Sequence, residues 1–435
     1  MKKFLYSVFM LAAVVLAACS NDDNGDTQPK RGMILNASVE NLSSRATMTD
    51  ESGTWKFAFA ANDKVSVSNN KISNYYTFTN NGSQFTCAQA EATTENADWY
   101  AYFPGNEVDL KNQTGTFADV ANKFAVAGKT AQTTTGEKGL SITLKPKVAV
   151  LRVVAVDKKG ILDIHVKTTA DDKWVKGLTA TKNAAEFTVS TSDTKTTLLH
   201  KAEGTVNAGE INYVVVPAGV KIEIYNGDLL LNKTKDAGLT AGKYYTITSG
   251  PTKGTETATL ANGTTETVEW VQLWAGGPRF ATKNVAEEMT WTEAAKTGSD
   301  YVWGANWRTP TAAEVTEEGG LQAEWNTKEG KWVVKEGSPT INVTTKDGIE
   351  ETVEFTGVQP GYTKNTLTLY NKIDSHGYSH FNFWTTTENN GYGCMYRIMI
   401  DKGIIGIFGP SSFESKDTKC LVRPVLSIQN ITNNK

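Results

Sequence analysis

Between residues 33 and 250 the chain scarcely holds the 3.6-residue apolar period of a helix. It breaks instead into short runs of β-formers cut by turn residues. Lys64-Val65-Ser66-Val67-Ser68 alternates. Trp99-Tyr100-Ala101-Tyr102-Phe103 is an aromatic run stopped by Pro104-Gly105. Val148 to Val156 is almost continuously apolar, the pattern of a strand covered on both faces. Ile211 to Val216 is stopped by Pro217, and Lys221 to Tyr225 by Asn226-Gly227, so the two are expected to make a hairpin-like pair. Tyr244-Tyr245-Thr246-Ile247 closes the region before Gly250-Pro251. Many short strands at near-regular spacing predict a mainly β chain built of sandwiches. The length is large for one sandwich, so a division near residue 145 is expected, giving domains over 33–145 and 146–250.

Residues 250–267 read GPTKGTETATLANGTTET, a Gly/Thr-rich stretch expected to be a linker or exposed hairpin; residues 251–267 are assigned as linker. Composition then shifts, because eight of the eleven tryptophans follow, and 268–435 is expected to be a separate domain. Thr290 with Glu293 three residues on predicts a capped short helix. A second helix is expected to open at Thr309-Pro310-Thr311-Ala312-Ala313-Glu314, with Pro310 in an early-turn position.

The N-terminus predicts export. Lys2 and Lys3 precede the uncharged run Phe4–Ala18, which as a helix covers only ~22 Å against a ~30 Å bilayer core. Such a run fits a signal-peptide core over residues 1–18. It closes on Leu16-Ala17-Ala18-Cys19, which resembles the bacterial lipobox and makes the Cys19 thiol the expected lipid acceptor and membrane anchor. Residues 19–32 are expected to be a flexible tether. Ser20-Asn21-Asp22-Asp23-Asn24 resembles the surface-export signal of Bacteroidetes lipoproteins.

A net charge of −3 gives no basic field for nucleic acid. Apart from Cys19, the chain has Cys87, Cys394 and Cys420; the last two are expected either to pair or to be two buried thiols. No CxxC or HExxH spacing exists, and no cofactor is expected. Asp374-Ser375-His376-Gly377-Tyr378-Ser379-His380 holds two of the four histidines but no third strong ligand, and reads as a polar loop. Glu388, Asn389 and Asn390 do not make a calcium pattern. No catalytic motif stands out, and the chain is not expected to be an enzyme.

Ser44-Arg45-Ala46-Thr47, Trp55, Ala61-Asn62-Asp63-Lys64-Val65-Ser66-Val67, Trp99 to Pro104, the strand after Leu144-Lys145-Pro146, and Leu239-Thr240-Ala241-Gly242-Lys243-Tyr244-Tyr245 come in a fixed order. Together they resemble the fimbrillin-like lipoproteins of the Bacteroidetes, which build pili. The resemblance implies two transthyretin-like β-sandwich domains. It also implies removal of the first strand by an Arg-specific protease and its replacement by a strand from another fimbrial subunit. Arg45 stands at the expected cut, Ala46 would be the new N-terminus, and Met33 to Val39 is the expected removable strand.

Three further strings resemble the Fibrobacter-type major paralogous domains of secreted bacterial proteins. They are Trp270-Val271-Gln272-Leu273 with Arg279 to Val285, Trp303-Gly304-Ala305-Asn306-Trp307-Arg308-Thr309-Pro310-Thr311-Ala312-Ala313-Glu314, and Phe383 to Glu388 with Val422-Arg423-Pro424-Val425. The resemblance implies an α+β domain similar to C-type-lectin-like folds. Arg308 and Arg423 are expected to be structural, with Glu314 and Asp300 as candidate partners. Trp303, Trp307 and Trp384 are expected in the core. Trp274, Trp325 and Trp332, in less regular surroundings, are the candidates for contact with a host or microbial glycan or matrix protein. The expected whole is a surface-exposed lipoprotein of the outer membrane, a minor or tip pilus subunit with an adhesive C-terminal module. The alternative is a surface lipoprotein that binds glycan or protein without polymerising.

Overall fold

The computed structural model describes residues 31–40, 59–91, 96–132, 139–157, 160–235, 237–260, 262–317, 319–328, 331–346, 350–370, 372–373, 379–401 and 404–427. Over these residues the chain is mainly β, in several sheets. Cys19, Arg45 and Ala46 lie outside the described residues, as do the expected signal peptide, most of the expected tether and residues 374–378.

The first strands are β1 (Arg31–Val39), β2 (Lys64–Asn69), β3 (Tyr76–Asn80), β4 (Phe85–Glu91), β5 (Ala97–Phe103), β6 (Glu107–Asp109), β7 (Val126–Gln132) and β8 (Gly139–Pro146). All but β6 join in the order β1-β4-β3-β2-β5-β7-β8 and close on themselves. The expected sandwich is thus a closed barrel, which leaves no free edge in this ring. Its interior is set by period-2 alternation: Val65 and Val67, Trp99 and Ala101, and Leu140, Ile142 and Leu144 are all buried. At Gly128 the backbones of β7 and β8 approach so closely that a Cβ would lie 2.3 Å from the Thr143 carbonyl. Between β6 and β7 sits α1 (Phe117–Lys123), whose cap Thr116 accepts from the Asp119 N–H.

Next come β9 (Val148–Val154), β10 (Leu162–Thr168), β11 (Trp174–Thr181), β12 (Glu186–Ser192), β13 (Thr197–Lys201), β14 (Ile211–Pro217), β15 (Ile222–Asn226), β16 (Leu229–Lys233) and β17 (Tyr244–Thr248). One sheet runs β12-β11-β10-β15-β16, with β13 on β10 and β6 on β11; a second runs β14-β9-β17. The apolar run at 148–156 therefore supplies a central strand, as its pattern implied. The hairpin expected from β14 and β15 does not form: β14 pairs with β9, β15 with β10 and β16, and the chain crosses between sheets after Pro217.

A strap from the first region covers the outer edge of β14. The Gln113 side chain accepts from Val215 N–H at 2.7 Å and donates to the Val215 carbonyl at 2.9 Å, while Tyr213 N–H donates to the Gly115 carbonyl at 2.9 Å. One buried amide thus does the work of a neighbouring strand. The apolar core runs from Met33 to Leu239 on both sides of residue 145, and β6 from before it joins the sheet of β11.

The C-terminal strands are β18 (Lys253–Thr259), β19 (Thr265–Gln272), β20 (Arg279–Ala281), β21 (Trp307–Arg308), β22 (Ala323–Asn326), β23 (Lys331–Val334), β24 (Thr340–Lys346), β25 (Glu350–Thr356), β26 (Thr366–Tyr370), β27 (Lys372–Ile373), β28 (Ser379–Asn389), β29 (Tyr392–Asp401), β30 (Ile404–Glu414) and β31 (Val425–Leu426). Of the two readings of 250–267 the hairpin holds and the linker does not: β18 pairs with β19 from Lys253↔Val271 to Thr259↔Thr265, and Ala258 is fully buried. Helix α2 (Trp291–Ala294) carries the expected capping box of Thr290 and Glu293. Helix α3 (Ala312–Thr316) starts later than expected. Thr311 is its cap and Glu314 its third residue, so Pro310 precedes the helix instead of lying in its first turn. The junction with the second unit is packed: Val154, Val156, Ala275 and Tyr362 form one buried cluster. Gly276 N–H donates to the Val156 carbonyl at 2.7 Å, and Arg279 meets Asp157 at 2.9 Å.

Candidate functional site

β1 is the segment on which the assembly reading turns. It lies between β4, to which it is antiparallel, and β8, to which it is parallel. Met33 and Leu35 are buried in the barrel, and Ala37 and Val39 pack against the same core. Alternation thus sends one side chain in two inward, while the ladders on both flanks use main-chain groups that any sequence carries. Among the described residues side-chain fastening is slight: Ser38 and Thr143 hydroxyls are 3.4 Å apart, and beyond the strand an exposed Glu40–Lys145 pair closes at 3.0 Å. A ladder to β4 over Arg31–Leu35, a ladder to β8 over Ile34–Val39 and a row of apolar sockets can hold an extended segment of matching alternation. Opposite Met33 on β4 lies Cys87, a buried free thiol.

The C-terminal tryptophans divide differently from expectation. Trp303, Trp307 and Trp384 are buried as expected. The indole N–H of Trp307 donates to the Thr257 carbonyl at 3.0 Å and that of Trp384 to the Met289 carbonyl at 2.8 Å. Trp274, expected as a stacking surface, is only 1% exposed, and its indole donates to Glu317 at 3.1 Å. Its glycine-rich surroundings serve packing: a Cβ on Gly277 would fall 2.3 Å from the indole. Trp274 therefore presents no face to a ligand. Trp325 and Trp332 stand directly opposite each other in the β22–β23 ribbon.

Arg308 grips Glu314 through both guanidinium nitrogens, and Asp300, on the exposed turn, is not its partner. Burial acts to raise the Glu314 carboxyl, but the Arg308 guanidinium and the Thr311 N–H outweigh it and hold the group below the usual glutamate range. Arg423 is fully buried and donates to the carbonyls of Ala281 and Thr368 at 3.0 and 3.1 Å. Arg308 thus ties β21 to the start of α3, and Arg423 ties β20 to β26. Cys394 and Cys420 are free buried thiols, not a disulfide, and burial pushes the Cys420 thiol up to about 12. Among the described residues no three His, Cys, Asp or Glu side chains group as a metal site. No helix of the described residues is long and apolar enough to cross a membrane.

No protein-family description matches the chain, and no curated protein matches it. Among solved structures, the chain is similar to a candidate cell adhesion protein of Bacteroides ovatus at 10% identity. That match covers 56% of this chain and 96% of the other, with a TM-score of 0.32. It is also similar to a fimbrial protein of Bacteroides ovatus at 11% identity, covering 92% and 100% of the two chains, with a TM-score of 0.24. A candidate adhesin of Bacteroides thetaiotaomicron matches at 10% identity over 48% and 81%, with a TM-score of 0.24. Likeness at this level assigns no family.

Proposed function

We propose that the chain is a surface-anchored pilus subunit, lipidated on Cys19, whose β1 is removed after Arg45 and replaced by a strand of another subunit. The observation that supports this is the seating of β1: an N-terminal strand held on both flanks by main-chain ladders, with small and medium apolar side chains inward and little side-chain fastening. In this reading the two N-terminal units are of transthyretin-like type and form the stem. The C-terminal unit is lectin-like and adhesive, with Trp325 and Trp332 as its remaining stacking candidates, and the subunit is a minor or tip one. No catalytic role is proposed.

The test is trimming of the purified protein with a trypsin-like protease. The expected result is a new N-terminus at Ala46 and SDS-resistant oligomers, both lost in Arg45→Ala. A trimmed chain that stays monomeric with every pilin offered would refute strand exchange and leave a free-standing binding lipoprotein.

A further inference from the structure

The ribbon of β11 and β12 parts from its own sheet. β11 meets β10 at Lys167↔Trp174 and then takes β6 from Gly177 to Thr179. Phe187 and Val189, alternate residues of β12, are left half-buried. A groove of about 990 Å³ opens between this ribbon and the crossover after Pro217. Leu178, Phe187 and Val189 form one bank, and Pro217, Ala218 and Val220 the other.

The two ends of the groove differ in charge. At one end Phe187 stands edge-on to Tyr102 at 5.7 Å, and the Lys147 ammonium meets Glu186, the residue before Phe187, at 2.7 Å. The Lys147 side chain is 16% exposed and that of Glu186 64%, so the cation lies along the wall while its acid stands in water. At the other end the Thr169 N–H donates to the Lys221 carbonyl at 3.1 Å, and the Thr168 hydroxyl donates to Asp171. Asp171 and Lys221 both line this end, so together they draw neither sign.

We infer that this groove binds a free aliphatic carboxylate, with its chain along the two apolar banks and its head on Lys147. Apolar surface left concave and wet favours an apolar body, and the volume is that of a small-molecule site. Charge assigns the head. An ion pair with one partner open to water contributes little, so a carboxylate whose chain is buried in the groove can take the place of Glu186 on Lys147. A cationic head would meet Lys147 as a like charge and gain nothing at the neutral far end. The groove shares no residue with β1 or the C-terminal unit, and the inference depends on neither strand exchange nor adhesion.

The test is calorimetric titration of the chain from residue 20 onward with dodecanoate below its micelle concentration. Saturable binding of one dodecanoate per chain is expected, with dodecyltrimethylammonium weaker by about tenfold or more. Lys147→Glu is expected to weaken dodecanoate by a similar factor, and Lys147→Arg to retain it. Val189→Trp, or Ala218→Trp on the opposite bank, is expected to fill the groove and abolish binding, with thermal melting of each variant to report folding. Vesicles of phosphatidylglycerol are expected not to bind, since the groove takes a single chain out of water. Absence of dodecanoate binding overturns the inference. So does binding that survives in a folded groove-filling variant, equal binding of the cationic amphiphile, or capture by the vesicles.

Discussion

Leu35→Ala is expected to loosen β1 while leaving the C-terminal unit untouched. Leu35 is fully buried, and its neighbours are barrel strands that cannot collapse into the gap, since their ladders close in a ring. Truncating a buried leucine costs about 2–5 kcal/mol, and about 3 kcal/mol is the working figure here. At ~1.4 kcal/mol per tenfold, the equilibrium for local departure of β1 then rises roughly a hundredfold. Cys87 is the reporter, because it is 5% exposed and sits opposite Met33 in the β1–β4 ladder. Thiol labelling with the site located by mass spectrometry should show Cys87 reacting about a hundredfold faster in Leu35→Ala, if reclosing outpaces labelling. Cys394 and Cys420, both buried in the C-terminal unit, the second in a different core, serve as internal controls and should not accelerate. A Cys87 rate that is unchanged, or that rises in step with the two controls, would mean that β1 leaves only when the whole molecule unfolds. β1 would then not be a separable strand.

Trp307→Ala and Trp384→Ala should each destabilise the C-terminal unit by about 3–5 kcal/mol in urea unfolding, and Trp274→Ala, now a core residue, should behave like them. The Glu314 carboxyl is held below its ordinary 4.5, so it contributes stability above that pH and loses it as pH falls through its lower folded value. Denaturation of wild type and Glu314→Gln should therefore converge in acid and diverge above that range. Cys19→Ala should abolish incorporation of labelled lipid and release the protein from the membrane fraction; label still migrating with the mutant would end the lipoprotein reading.

What could be read in the sequence was local. The Thr290–Glu293 capping box, the buried apolar strand at 148–156 and the Arg308–Glu314 pair all rest on residues close in the chain. The closure of the barrel did not show, because it pairs β1 with β8 across about a hundred residues and leaves no mark in either strand's pattern. At 253–259 polar composition left linker and hairpin open: threonines and glutamates face outward, but alternation buries Ala258 and sets Gly254 beneath the Trp270 ring. The glycines around Trp274 likewise suggested an open surface when their role is to let a large indole lie against backbone. The Gln113 strap was also invisible, since nothing distinguishes that amide in sequence from any other in a turn. It couples the first two units, and the packed junction at Val156 and Tyr362 couples the second to the third. An autonomous module starting at 268 would lose that contact.

The orientation of β1 has a consequence for any chain of such molecules. It runs parallel to β8 and antiparallel to β4, and a strand that takes over its ladders in the same register keeps that direction. Each molecule that accepts a strand there and offers one elsewhere repeats the same head-to-tail relation, which closes into a ring only for special rotations and otherwise grows without limit. A fibre built this way has two unlike ends. The end at which a molecule accepts but has no successor to supply is fixed by the strand's direction, not by any feature of the surface.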